Sequence, residues 1–534
     1  MSSPISTRVS ASRLPATLIA LPRKKPSRGK IILIVLVVVA ALILCLVGIL
    51  YSKIWPFSRE SVVEDLAEAS DSMVTLQNFH RTYFPPGCIL EGLEFRHNGD
   101  RTRLFTIERL EVEGSYIGIL RHHVPRINAV GAKIFVPTFG SHIVFKTEHS
   151  DIVVDEIVAN GSFVEFQSND PHKKPLRFDV HEALLSDVRW GNPIGYRLKL
   201  HNPEPPGELA VQGKFGGWAT GHPSDTPLSG EYNFEHADLG VYGGIAGTLA
   251  SKGKFDGTLG HVNIAGTTDV PNFVVTSGGH KVRLQTKFDA YVDATRGDTF
   301  LKRVDAHFGR TTVIAEGSIA SSPGRKGKIA DIHLTSRRGR IEDLLGLFVN
   351  EPRSPMSGEV SLQAHTQIPP GSEPFLQKVK LQGAFGIDAG NFSKPNTQEG
   401  VNQLSAGARG ESMENPETVL TDLTGQVDLN GGVARFTDLR FSIPGAKARM
   451  QGTFNIINEK IDLHGRMRVD TKISKTATGV KSLLLRLMDP IFKKKKKGEV
   501  VPVHIGGTYE KPQFGLDLTS QPDTNPNHPK QPTR

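Results

Sequence analysis

Histidine and lysine are the side chains whose spacing in this sequence first suggests chemistry. His122-His123 is an adjacent imidazole pair, but neighbours on a strand point to opposite faces and cannot share one ion. The other histidines are scattered, and the sequence assigns no metal site. Five consecutive cations, Lys493, Lys494, Lys495, Lys496 and Lys497, follow an apolar helical pattern. They read first as a solvated loop between a helix and a strand. Their second reading is a headgroup site, where each cation contributes about 1 kcal/mol beside an anionic surface. Nucleophile elbows, zinc-protease helices and paired C-x-x-C motifs are missing, and Gly253-Lys254 lacks the earlier glycine of a phosphate loop. Asn160-Gly161-Ser162 matches a glycosylation sequon too short to carry weight. Cys45 lies inside an apolar run and Cys88 outside it, so the two form no disulfide framework. These residues predict a protein that is not an enzyme and needs no cofactor.

The elements that hold these residues are mostly strands. The 534 residues are too many for one ordinary core, and glycine (54) and proline (34) favour many short strands and turns. Residues 31–54 are the exception: Ile31 to Ser52 carries no charge and is long enough to cross a bilayer, ending at Tyr51, Lys53 and Trp55. Arg8, Arg13, Arg23, Lys24, Lys25, Arg28 and Lys30 precede it without an acid, which orients the N-terminus to the cytoplasm. That tail accounts for most of the net charge of +9 and leaves the rest nearly balanced, so nucleic acid is a poor partner.

Beyond the span, Ser61 and Glu64 make a capping box, and Val62, Leu66, Ala69, Met73 and Leu76 predict a helix up to Pro85-Pro86-Gly87. Strands follow over Lys378 to Asp388, with Val379, Leu381, Phe385 and Ile387 on one face, and over Glu359 to Ile368. Leu439, Phe441 and Ile443 continue the alternation, Pro444-Gly445 turns the chain, and Asn430-Gly431 signals a hairpin. Ile341, Leu344, Leu345 and Phe348 predict a helix, as does Thr476 to Phe492. A degenerate repeat aligns Gly317-Ser318-Ile319 with Gly452-Thr453-Phe454, and Gly358-Glu359-Val360 with Gly498-Glu499-Val500. The closing residues are polar and proline-rich.

The stretches IDLHGRMRVDTKIS, TGVKSLLLRLMDPIF and VPVHIGGTYEKPQFGLDL resemble the C-terminal region of AsmA-like proteins, as do the basic tail, the single anchor and IERLEVEGSYIGIL. The resemblance is specific over roughly the last 150 residues and carries no catalytic residue. It implies a mainly β fold: one N-terminal transmembrane helix, then a long, twisted, groove-like antiparallel sheet with a few amphipathic helices. With the basic cytoplasmic tail (1–30), transmembrane helix (31–54) and disordered polar tail (520–534) read from the residues, it implies an N-terminal groove region (55–350) and an AsmA-like C-terminal region (351–519) between them. Placement in the inner membrane, with a periplasmic ectodomain, follows from the same resemblance. So does conduction of membrane phospholipid along the groove, contributing to outer-membrane biogenesis. Val379, Leu381, Phe385, Ile387, Leu439, Phe441 and Ile443 are then lining candidates, and about 27 strands at roughly 4.8 Å would span near 130 Å. A β-sandwich alternates in the same way, and a non-transport scaffold or assembly factor for outer-membrane proteins, acting through an outer-membrane or periplasmic partner, is the competing function.

Overall fold

A computed structural model describes residues 59–517, apart from segments 137–152, 167–174, 323–326 and 470–499 and some isolated positions. The basic tail, the span at 31–54, the helix at 476–492, Lys493 to Lys497, His122 and the tail at 520–534 lie outside the described residues. Among those described, no helix is long and apolar enough to cross a membrane.

The described strands, 26 of them, form one mixed sheet. It begins with β1 (Ser72–Thr75) and β2 (Asn78–Tyr83), which lie end to end along β3 (Pro86–His97). β3 pairs with β4 (Arg103–Glu113), which pairs with β5 (His123–Val130) and β6 (Lys133–Val136). Both β5 and β6 run parallel to β7 (Val153–Phe166). Every later pairing is antiparallel, ending at Pro512–Leu516. Local sequence sets these joints. Gly431 and Gly432, at φ +60° and +77°, make the two-residue turn that seats Asn430 opposite Val433. Pro444 and Gly445, the latter at φ +84°, seat Ile443 opposite Ala446.

Five α-helices among the described residues accompany the sheet: α1 (Arg59–Ser70), α2 (Tyr116–Leu120), α3 (Ile341–Gly346), α4 (Phe375–Lys378) and α5 (Pro395–Arg409). Strand directions place α1, α3 and α5 along the edge where β1 begins, while the opposite edge carries mostly hairpins.

Three sequence expectations need correction. The helix read from Ser61 to beyond Leu76 ends at Ser70, because Met73 enters β1 and pairs with Arg96; the strand ladder overrides local helical spacing. Pro85-Pro86-Gly87 therefore turns a hairpin rather than ending a helix. The strand read from Lys378 starts at Lys380 and extends to Phe392, since Lys378 closes α4 and the Val379 N–H bonds to Phe375 O. Helix α5 was not foreseen.

The repeat has a structural counterpart. Gly317 and Gly452 share φ +149°, each on the return strand of a hairpin with a two-residue turn. A Cβ would stand 2.1 Å from Asp331 O at the first and 2.0 Å from Asp462 O at the second. Both positions require glycine for the same reason.

Candidate apolar trough and histidine clusters

Register turns strand alternation into continuous apolar rows. One row starts at Phe79, Leu90 and Leu110, then passes through Ala129, Ala159, Ala183 and Leu198. It continues through Val211, Tyr232, Gly253, Gly266, Phe288, Val304, Ala315 and Leu334. Ala364, Gly383, Val427, Phe436, Gly452, Leu463 and Ile505 complete it. No charged residue interrupts it. A second row two residues away runs from Cys88 through Ile127, Leu185, Phe255, Leu301 and Leu381 to Ile461, with Thr366 as its one polar member apart from Tyr196.

Burial changes along the rows. Leu90, Leu110, Ile127 and Ile157 are 0% exposed, within a core that also takes Leu66 from α1. There Cys88 loses access to water, and burial pushes its thiol up to about 12, which makes it inert. Tyr196, with its hydroxyl near Ser229 O, is raised by the same cause. From Tyr232 to Leu334 the row is half-buried: ladder neighbours cover its sides, and among the described residues no helix covers its top. Toward the C-terminal end, α3 packs over Met356, Val360 and Ile387, and α5 over Leu439, Ile443 and Met450.

The open stretch is paved with aromatic rings. A Cβ on Gly230 would meet Phe255 Cζ at 2.8 Å, one on Gly253 Tyr232 Cε1 at 2.9 Å, and one on Gly266 Phe288 Cζ at 3.0 Å. Each ring lies against a glycine of the next strand instead of standing off the sheet, giving a low, smooth floor. The reverse face is polar and cross-linked: Arg197 Nε donates to Gln212 Oε1 (3.3 Å) and Gln212 Nε2 to Glu231 Oε1 (2.6 Å). Lys254 lies 4.0 Å from Glu231.

The seven predicted lining residues divide into two groups. Leu381, Phe385 and Phe441 are half-buried on the apolar face. Val379 (8% exposed) precedes its strand, Ile387 (4%) lies under α3, and Leu439 (8%) and Ile443 (4%) lie under α5. The last three act first as core. Sequence reasoning missed Phe288, Val304 and Leu334, whose strands carry no turn or motif that singles them out.

Among the described residues, four of the scattered histidines meet in two clusters on the polar face. His333 stands opposite His365, their rings stacked at 4.6 Å, with His365 Nε2 2.6 Å from Asp331 Oδ1. His464 stands opposite His504, stacked at 4.3 Å, and both Nε2 atoms lie 3.0 Å from Asp462 Oδ1. Hydrogen bonding by His365 holds the Asp331 carboxyl below its usual range, and His504 does the same for Asp462. His123, on β5, instead meets Asp155 at 2.8 Å.

Comparison with known proteins gives no match: no family model, no curated protein and no solved structure aligns with this chain at a significant level.

Proposed function

We propose that this chain is a non-catalytic lipid-binding protein that carries phospholipid acyl chains along its apolar rows. The observation that carries the reading is the unbroken row from Leu198 to Ile505, half-buried between Tyr232 and Leu334 with no cover there among the described residues. An apolar face of that length left facing water is unfavourable, which is why such patches mark binding surfaces. A chain of about 16 carbons costs roughly 13 kcal/mol to hydrate at about 0.8 kcal/mol per CH₂, so a paved trough offsets the barrier to lipid passage without chemistry. Cross-strand rows at about 4.8 Å per strand extend on the order of 100 Å, and the open stretch from Tyr232 to Leu334 covers roughly 30 Å, enough to seat an extended acyl chain. The uncharged run at 31–54 and its basic flank support an anchor in the inner membrane with the sheet in the periplasm. The AsmA-like C-terminal stretches point to the same task in outer-membrane biogenesis.

Mass spectrometry of lipids retained by the detergent-free ectodomain, residues 56–519, tests this. Near-stoichiometric phospholipid on the wild type, lost from a folded Val304→Asp/Leu334→Asp variant, is the expected result. Folded, monodisperse protein free of lipid would overturn the reading and favour an assembly scaffold.

A further inference from the structure

The two histidine clusters are copies of one arrangement. In the first, Lys328-Ile329 leads to Asp331 and His333, and Gly358-Glu359-Val360 leads to His365 on the partner strand. In the second, Lys460-Ile461 leads to Asp462 and His464, and Gly498-Glu499-Val500 leads to His504. Each Asp-x-His lies beside the positive-φ glycine of the preceding strand, Gly317 or Gly452. Elsewhere the two copies have diverged widely, yet both keep one carboxylate and two imidazoles.

We propose that each cluster binds one zinc-like divalent transition-metal ion, which staples together two strands that the chain joins only by a long connection. The donors suit the chemistry: imidazole nitrogen with carboxylate oxygen is the set such ions take, at about 2.1 Å. Within each cluster the potential ligand atoms lie within 4.8 Å of one another, and tetrahedral ligands sit about 3.4 Å apart, so small side-chain rotations suffice. Surrounding groups already orient the donors. Gln367 Nε2 donates to Asp331 Oδ2 (2.7 Å), leaving Oδ1 toward His365. His464 Nδ1 lies 3.0 Å from Oδ2 of the buried Asp517, which leaves Nε2 facing Asp462 and the ion. A carboxylate behind a ligating histidine fixes its tautomer and strengthens the bond.

Position in the fold supplies a purpose. The strands of the first cluster, Lys328–Arg340 and Met356–Ile368, are separated by α3 and its loops. Those of the second, Ile461–Val469 and Val500–Gly507, are separated by residues 470–499. Without a tight turn, the connection does not set the register, and a one-residue slip would move every side chain to the wrong face. The third long connection of this half carries α5, where a buried side-chain network serves instead: Gln398 Nε2 donates to Asn402 Oδ1 (2.7 Å), which also accepts from the Val419 N–H (3.0 Å).

The test is metal binding by the full chain in detergent micelles, purified on a tag without histidine. Equilibrium dialysis against Zn²⁺ should give two ions per chain. His333→Gln/His365→Gln should retain one, His464→Gln/His504→Gln one, and the fourfold variant none, while His201→Gln/His307→Gln keeps two. Titration with Co²⁺ provides a second readout that needs no variant: the intense visible bands of tetrahedral nitrogen–oxygen coordination should saturate at two ions. Absence of those bands on the wild type, or pair variants that bind as the wild type does, would overturn the proposal.

Discussion

Glu342 opens α3, and its carboxylate accepts from Arg310 Nη2 (2.6 Å), Arg340 Nε (2.9 Å) and the Gly358 N–H (3.1 Å). Burial alone would raise its pKa, but its own backbone N–H, Arg340 and Gly358 outweigh that and hold the carboxyl below its usual range. A lowered folded pKa means the contribution is complete above the unfolded value, about 4.3, and is lost as pH falls through the folded one. Glu342→Gln should therefore cost about 1–2 kcal/mol in urea unfolding at pH 7, allowing for its partly solvated ion pairs, and progressively less below about pH 4. An equal loss at every pH would contradict the charge-based account. None of this was legible beforehand, because Arg310 and Gly358 reach Glu342 through tertiary structure. The one-faced strands that place Leu381, Phe385 and Phe441 were legible, since alternation is local. That Leu439 and Ile443 are sealed by α5 was not.

Hairpins are the elements the sequence announced best. Asn430-Gly431 and Pro444-Gly445 encode their turns in dihedral preference alone. Helix α5 escaped notice because Asn396, Gln398, Asn402 and Gln403 dilute its few apolar residues, and its stability comes from seating Leu404 and Ala408 on the sheet. The histidine clusters escaped because their members are 34 and 42 positions apart and meet only through register. The repeat predicts equal sensitivity at its two glycines. Gly317→Ala and Gly452→Ala should each lose about 1–3 kcal/mol, measured by chemical denaturation, because the methyl group enters the facing carbonyl at an unfavourable φ. A neutral result at either position would break the equivalence.

Across the whole molecule, one sheet separates two environments. Its polar face is tied strand to strand by ion pairs such as Arg283 with Asp269 (2.8 Å). Among the described residues, its apolar face is sealed at the N-terminal core and beneath the helices of one edge, and left open over the central strands. The mainly β class was legible from composition and alternation. The continuity of the rows was not, because each step depends on pairings and β-bulges that no single strand encodes. The central claim is that lipid occupies this face over its open central stretch. Site-specific photo-crosslinking in cells tests it directly, with a photoreactive residue placed in turn at Phe288, Val304 and Leu334 and, on the reverse face, at Lys287, Asp305 and Thr335. The account predicts phospholipid adducts at the first three positions and none at the others. Adducts on both faces alike, or on neither, would contradict it.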